Sequence, residues 1–454
     1  MNRKQLKREV LGQLSIQHRT GIANGSEADR DEMLARAARV IPSGALTGRI
    51  ALRDFIVRSQ GAYLWNSDGK RYIDCLLSGG AIVIGHSDPR VNRAVARAAA
   101  SCDLNCVGPQ PGEVELAEAI CEVMPCAERV SFLETGAEAL IRAVQLARAV
   151  TGRTRLLRFH GAHNNVDAEI GVVARSGYPG GPVHPLELDA AGPHVNGDII
   201  FRDWNDLQAA RSVFAGLGSE IAAVICEPYV HSFGCVAPAP GFLEGLRELC
   251  SRHGTLLVFD ELKTSFRVHL GGYQAVCNVT PDVAVFGNAI GNGWTLAGLA
   301  GRTDLMDDLG RKARAYPSGS GSLCAKPYGL AAGLATFQIL KDGGIDHLNE
   351  LGDRMRTGLM EAVLATDVEA CVVGLGSNWT LYFRSGTPTN YKEAVHGNDH
   401  PRGQAYWSAM VDEGILEPPF PPGDRRLCVA TSEEDIDMTI EAASRALQRT
   451  SSAL

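Results

Sequence analysis

Short apolar runs alternating with amphipathic stretches set the pattern of this chain. Positions 130–133, 156–159, 222–226, 256–259 and 283–286 are brief, mostly apolar runs. Runs of that length predict strands buried on both faces. Between them, 136–148 reads as a helix opening at a small-residue turn. A second helix, over 241–253, places Phe242, Leu243, Leu246, Leu249 and Cys250 on one face, with Gly254 as its stop. Strands separated by helices predict an α/β fold with a mostly parallel sheet covered on both sides. Upstream, 61–74 alternates with period two around Asp68-Gly69, which predicts a hairpin. Positions 31–40 are helical in composition until Pro42 and Gly44 break the pattern. Near the C-terminus, a strand over 380–384 and a helix over 433–447 predict an α+β lobe, and 418–423 reads as a rigid proline-rich loop.

At 454 residues the chain exceeds what one core supports, so two or three interlocked lobes are expected. Apolar residues at 45%, charged residues at 21% and a net charge of -8 argue against nucleic-acid or anionic-membrane surfaces and leave small-molecule chemistry. Twelve cysteines, among them Cys226, Cys250 and Cys428, are scattered without a CxxC pair, which points to a reduced compartment. Cys102 and Cys106 lack the further ligands a metal needs, so no metal site is expected. Residues 1–40 hold no apolar segment of signal-peptide type, and no run is long enough to span a bilayer. A cytoplasmic protein is expected.

Two places carry candidate chemistry. At Thr135-Gly136-Ala137 a strand ends and a helix opens; free amides and the helix dipole there form an anion site, although a plain tight turn accounts for the residues equally well. Asp260 follows directly on the run 256–259, at the sheet edge where open α/β folds bind ligands. A carboxylate there can keep a pyridine nitrogen protonated, or simply cap the following loop.

The segments Glu227-Pro228, 240–250, His253-Gly254 and 259–267 together resemble the core of glutamate-1-semialdehyde aminomutases and their class III aminotransferase relatives. The resemblance extends from 40–42 through Ser78-Gly79-Gly80 and Gly85-His86 to 434–437. It implies a pyridoxal-phosphate (PLP) dependent transferase of fold type I: an N-terminal arm with part of the small domain at 1–75, a large cofactor-binding domain at 76–330, and a small domain completed by 331–454. The implied cofactor is PLP or its amine form, pyridoxamine phosphate (PMP). Asp260 then corresponds to the pyridine-nitrogen partner, with Glu227 in the same site, and Thr135, Gly136 and Ala137 to the phosphate turn, where Ala137 lacks the hydroxyl usual in the family. His163 takes the place of a ring-stacking tyrosine. Ser322 corresponds to a residue serving the neighbouring subunit's phosphate, which implies a homodimer with shared sites. On the substrate side, Gly79 stands where aminomutases carry a tryptophan, and Arg49 lies close to the substrate-carboxylate arginine.

The sharpest departure is Asn288, at the position of the family's Schiff-base lysine. A carboxamide has neither a nucleophilic amine nor a basic lone pair. Lys263, three residues after Asp260, is a candidate substitute, or a cation that only bonds the cofactor's ring oxygen or faces a carboxylate. Three functions remain in view: an aminotransferase or aminomutase-like enzyme with non-standard or impaired chemistry on an amino or keto compound; a lysine-less PMP or PLP enzyme performing dehydration or isomerisation; and a non-catalytic cofactor-binding subunit or a chain altered at 288 to trap an intermediate.

Overall fold

A computed structural model of the protein describes residues 27–41, 44, 52, 54–102, 108–161, 198–307, 324–418 and 423–451. Arg49, His163 and Ser322 therefore lie outside the described residues. The chain divides into two compact units, Met1–Ser59 with Tyr63–Tyr72, and Gln60–Ala62 with Ile73–Leu454. The first carries α1 (Glu27–Val40), most of β1 (Ile56–Gln60), and β2 (Tyr63–Asn66). Its Asp-Gly turn forms as predicted, with the Gly69 N–H donating to the Asn66 carbonyl at 3.1 Å and Gly69 at φ +80.

The second unit takes in the end of β3 (Arg71–Asp74), continues through α2 (Pro89–Ser101) and α3 (Pro111–Val123), and is built around a large sheet. In chain order its strands are β4 (Arg129–Leu133), β5 (Arg155–Phe159), β6 (Ile199–Arg202), β7 (Ile221–Cys226), β8 (Leu256–Asp260), β9 (Val283–Phe286) and β10 (Ala297–Gly301). Their order in space is β4-β10-β9-β8-β7-β5-β6. The pairs from β9 through β8, β7 and β5 to β6 are parallel, and β10 runs antiparallel to both of its neighbours.

Alternation along the central strands explains why they read as continuous apolar runs. Leu156, Ala223, Ile225, Val258 and Val285 pack with Ala139, Leu140, Ala143 and Ala147 of α4 (Gly136–Thr151). The opposite faces, including Leu157, Phe159, Val224 and Leu257, pack with residues of α5 (Leu207–Leu217) and α6 (Phe242–His253). Both faces are dry, as a parallel sheet requires. Gly254 ends α6 at φ +62, a left-handed cap that suits glycine.

Two strands differ from the sequence pattern. The Ala-Gly-Leu-Ala-Gly run of β10 has little β propensity, yet its glycines are demanded by packing: a Cβ on Gly298 would lie 2.5 Å from Phe286 Cζ. The strand expected over 380–384 is β12 (Asn378–Tyr382), preceded by β11 (Cys371–Leu375). It stops early because the Phe383 N–H donates to the Asn398 side chain at 2.7 Å rather than to a neighbouring strand. Strands β11, β12 and β14 (Arg425–Arg426) form a small sheet, and β13 (Ile415–Leu416) pairs parallel with the end of β3, Ile415 opposite Ile73. The terminal helix runs over Glu433–Ser451. Among the described residues no helix is long and apolar enough to cross a membrane, and no group of three or more His, Cys, Asp or Glu side chains is placed to hold a metal ion.

Candidate active site

The parallel register of β7 and β8 sets Cys226 opposite Phe259, so Glu227, just past the end of β7, and Asp260, the last residue of β8, stand at the same level. Both are buried. Glu227 accepts the N–H groups of His231 at 2.9 Å and Ser232 at 3.2 Å, together with the Ser232 hydroxyl. Asp260 accepts the Leu262 N–H at 3.2 Å. Burial, reinforced by the Glu227 charge, pushes the Asp260 carboxyl up to about 7, while Arg158 and Lys263 pull against that shift. Burial likewise raises the Glu227 carboxyl, opposed first by Lys263. Two carboxylates side by side in a desolvated site form a natural seat for a cationic group.

Leu262 ties this pair to the other candidate residues. Strand β9 ends at Phe286, and Asn288 opens a short turn over Asn288–Gly291 at φ +50, a left-handed conformation that asparagine tolerates. The Asn288 side-chain NH2 donates to the Leu262 carbonyl at 3.1 Å. The Leu262 side chain fills the space between two glycines: a Cβ on Gly136 would fall 2.5 Å from its Cδ1, and one on Gly287 would fall 2.9 Å from its Cδ2. Asn292 anchors the far end of the turn, accepting the N–H groups of Val83 at 3.0 Å and Ile84 at 2.9 Å.

The turn at the start of α4 is self-capped. The Thr135 hydroxyl accepts the Glu138 N–H at 3.2 Å, and the Glu138 carboxylate accepts the Thr135 N–H at 3.1 Å and the Glu134 N–H at 3.2 Å. Thr135 is thereby engaged with its own helix. The amides of Gly136 and Ala137, the first of α4, are the ones that helix geometry leaves to an anion. Lys326 closes on Glu134 beside them at 2.7 Å.

Gly79 sits at φ +71 after Ser78 at φ +53, and a Cβ there would meet nothing within 4 Å. Its neighbour Gly80 lies against Arg426, whose Nε would be 3.2 Å from a Cβ at that position. Lys263 approaches Asp424, Nζ to Oδ1 at 3.9 Å. Arg158, His231, Asp424 and Arg426 belong to this neighbourhood and were not singled out from the sequence. The one signal for two of them is the charged triplet 424–426, set between a proline-rich stretch and an apolar run.

Known proteins resemble this chain over most of its length. The family model described as aminotransferase class-III matches residues 48–416. A glutamate-1-semialdehyde 2,1-aminomutase of Bordetella avium (strain 197N) is 37% identical over 395 residues, covering 85% of this chain and 90% of that protein. An omega-transaminase from Sphaerobacter thermophilus has the same fold with a TM-score of 0.83 at 27% identity, over 94% of this chain and 98% of its own. A transaminase solved with PLP bound gives a TM-score of 0.80 at 25% identity, over 92% of this chain and 97% of that one.

Proposed function

Because the chain belongs to the class III aminotransferase family, we propose that it binds PLP or PMP at the Asp260 edge of its sheet and acts on a small amino or keto compound, with the family's chemistry altered at Asn288. The lobe that carries the cofactor is 76–330, and the small lobe is completed by 331–454. The observation that carries this reading is the paired burial of Asp260 and Glu227 at adjacent strand ends, with Asn288 hydrogen-bonded two residues beyond Asp260.

The residues present fit the cofactor. A carboxyl pushed up to about 7 by burial gains most from a cationic partner, which a protonated pyridine ring provides. When bound, PLP supplies an electron sink that withdraws charge from the reacting carbon. Asp260 holds the proton on the ring nitrogen. Gly136 and Ala137 present amides to the phosphate, and Leu262 keeps that turn at a fixed distance from Asp260. Lys263 brings a positive charge toward the carboxylates.

Asn288 supplies neither a base nor an amine. Its carboxamide spends a donor on the Leu262 carbonyl, a structural role. Loss of a positioned base costs on the order of a hundred- to ten-thousand-fold in rate. Ordinary transamination is therefore slow in this chain unless another group moves the proton. That bond also favours a second reading, a lysine-independent enzyme that uses the amine form for dehydration or isomerisation, because the carboxamide is built into the site rather than left over in it. The cysteines scattered along the chain without a CxxC pair support a reducing, cytoplasmic setting.

The test is calorimetric titration of the protein and of Asp260→Ala with PLP and with PMP. Binding that is lost in the variant is expected; equal affinity for both proteins would remove Asp260 from the site.

A further inference from the structure

A buried ion cluster beside the candidate site has a hub that none of the roles above uses. Asp424, just before β14, is 7% exposed. Its carboxylate lies 3.9 Å from Lys263 Nζ and 3.8 Å from His231 Nδ1, and it accepts a hydrogen bond from the Arg426 guanidinium. Burial opposes its charge, but Arg426 and Lys263 overcome that opposition and hold the carboxyl at about 2. Burial pushes the His231 imidazole down to about 3, so near neutral pH the working partners of Asp424 are the two cations.

The position of Lys263 in the chain gives this arrangement a consequence. Lys263 follows Leu262, the residue whose carbonyl receives Asn288, so it is the amine placed by sequence next to the site of the family's lysine. Its neighbours are carboxylates: Asp424 at its head group, and Glu227 and Asp260, whose carboxyls it pulls down. Arg158 shares the field of Glu227 and Asp260 from β5, and Arg426 shares Asp424.

We propose that Asp424 is a positioning residue that holds the Lys263 amine within this cluster, so that Lys263 serves as a fixed cation and does not replace the amine that Asn288 lacks. This rests on the cofactor reading given above. With the Asp424 carboxylate gone, the Lys263 amine would no longer be held in this cluster and, one proton passing to solvent, would be placed to attack the aldehyde carbon of PLP. A carbon–nitrogen double bond forms, and the aldehyde oxygen departs as water with the two remaining amine protons. Borohydride then delivers hydride to that carbon and fixes the link as a secondary amine.

The experiment is borohydride reduction of the PLP-loaded protein followed by peptide mass mapping, on the wild-type chain, Asp424→Asn and Asp424→Glu, with PLP retention measured in parallel by calorimetry. Asp424→Asn is expected to give borohydride-fixed cofactor on Lys263 where the wild-type chain gives none. The wild-type chain and Asp424→Glu, which keeps a carboxylate, remain unmodified there. Modification of Lys263 in the wild-type chain overturns the proposal without need of any variant. So does an Asp424→Asn protein that retains PLP and stays unmodified. A wild-type chain that retains no PLP overturns the cofactor reading and this inference with it, and the calorimetry separates that case from the others.

Discussion

The side chain of Asn288 is hydrogen-bonded to the carbonyl of Leu262 at 3.1 Å, and Leu262 in turn gives its N–H to Asp260 at 3.2 Å. One residue thus connects Asn288 to the carboxylate proposed to face the cofactor ring. Its side chain extends the connection to the phosphate turn through Gly136 and to the entry of the Asn288 turn through Gly287.

That packing is testable by swelling one partner and shrinking the other. In Gly136→Ala the new methyl would meet Leu262 Cδ1 at 2.5 Å, an overpacking expected to cost about 1–3 kcal/mol of stability and to weaken PLP binding. Leu262→Ala should also destabilise, by about 2–5 kcal/mol, through the cavity it leaves. The double variant should lose clearly less than the sum of the two, in denaturant unfolding and in calorimetric PLP affinity alike. Strict additivity would mean that Leu262 does not set the position of the turn.

The Asp260 carboxyl predicts a pH signature in the cofactor-free protein. Its ordinary value of 3.8 rises to about 7 in the fold, so between those limits the folded chain holds a proton that the unfolded chain has released. The stability this contributes is complete below the unfolded value and is lost as pH rises through the folded one. Asp260→Asn removes the dependence. The melting temperature of the variant should therefore gain on the wild type between about pH 5 and about pH 8, and added PLP should close the gap by bringing a cation to the wild-type carboxylate. A difference that is constant across that range would contradict the assignment.

Assembly offers an independent check. If Ser322 serves the phosphate of a neighbouring subunit, the protein should sediment as a homodimer, and Ser322→Ala should weaken PLP binding without dissociating it. A monomer at micromolar concentration that still holds PLP tightly would be incompatible with shared sites.

Much of this arrangement was legible in the sequence because its signals are local. The buried runs of β7, β8 and β9 announce themselves by continuous apolar residues, and Asp260 by following one of them directly. The Thr135 turn was legible for the same reason, although its capping box, which engages Thr135 itself, depends on the Glu138 side chain. Strand β10 was hidden because its small residues answer to the Phe286 ring across the sheet rather than to strand propensity. The Asp424 cluster was hidden because Lys263 and His231 reach Asp424 from distant segments of the chain, and ion pairing of that kind leaves no spacing to read; only Arg426, two residues on, is local to it. Nothing local singles out Leu262, because its role rests on two glycines and the Asn288 carboxamide, all far from it in the chain.

The central claim is that Asn288 occupies the place of the family's lysine on a site that keeps Asp260 and the Gly136 turn for the cofactor. The direct measurement is borohydride reduction of PLP-loaded Asn288→Lys, with peptide mass mapping against the unaltered chain. The flanking Gly287 and the Asn292 anchor should present the new amine without remodelling, so the cofactor is expected on residue 288 of the variant and on no lysine of the unaltered chain. A variant that retains PLP yet carries no modification at 288 would contradict the account.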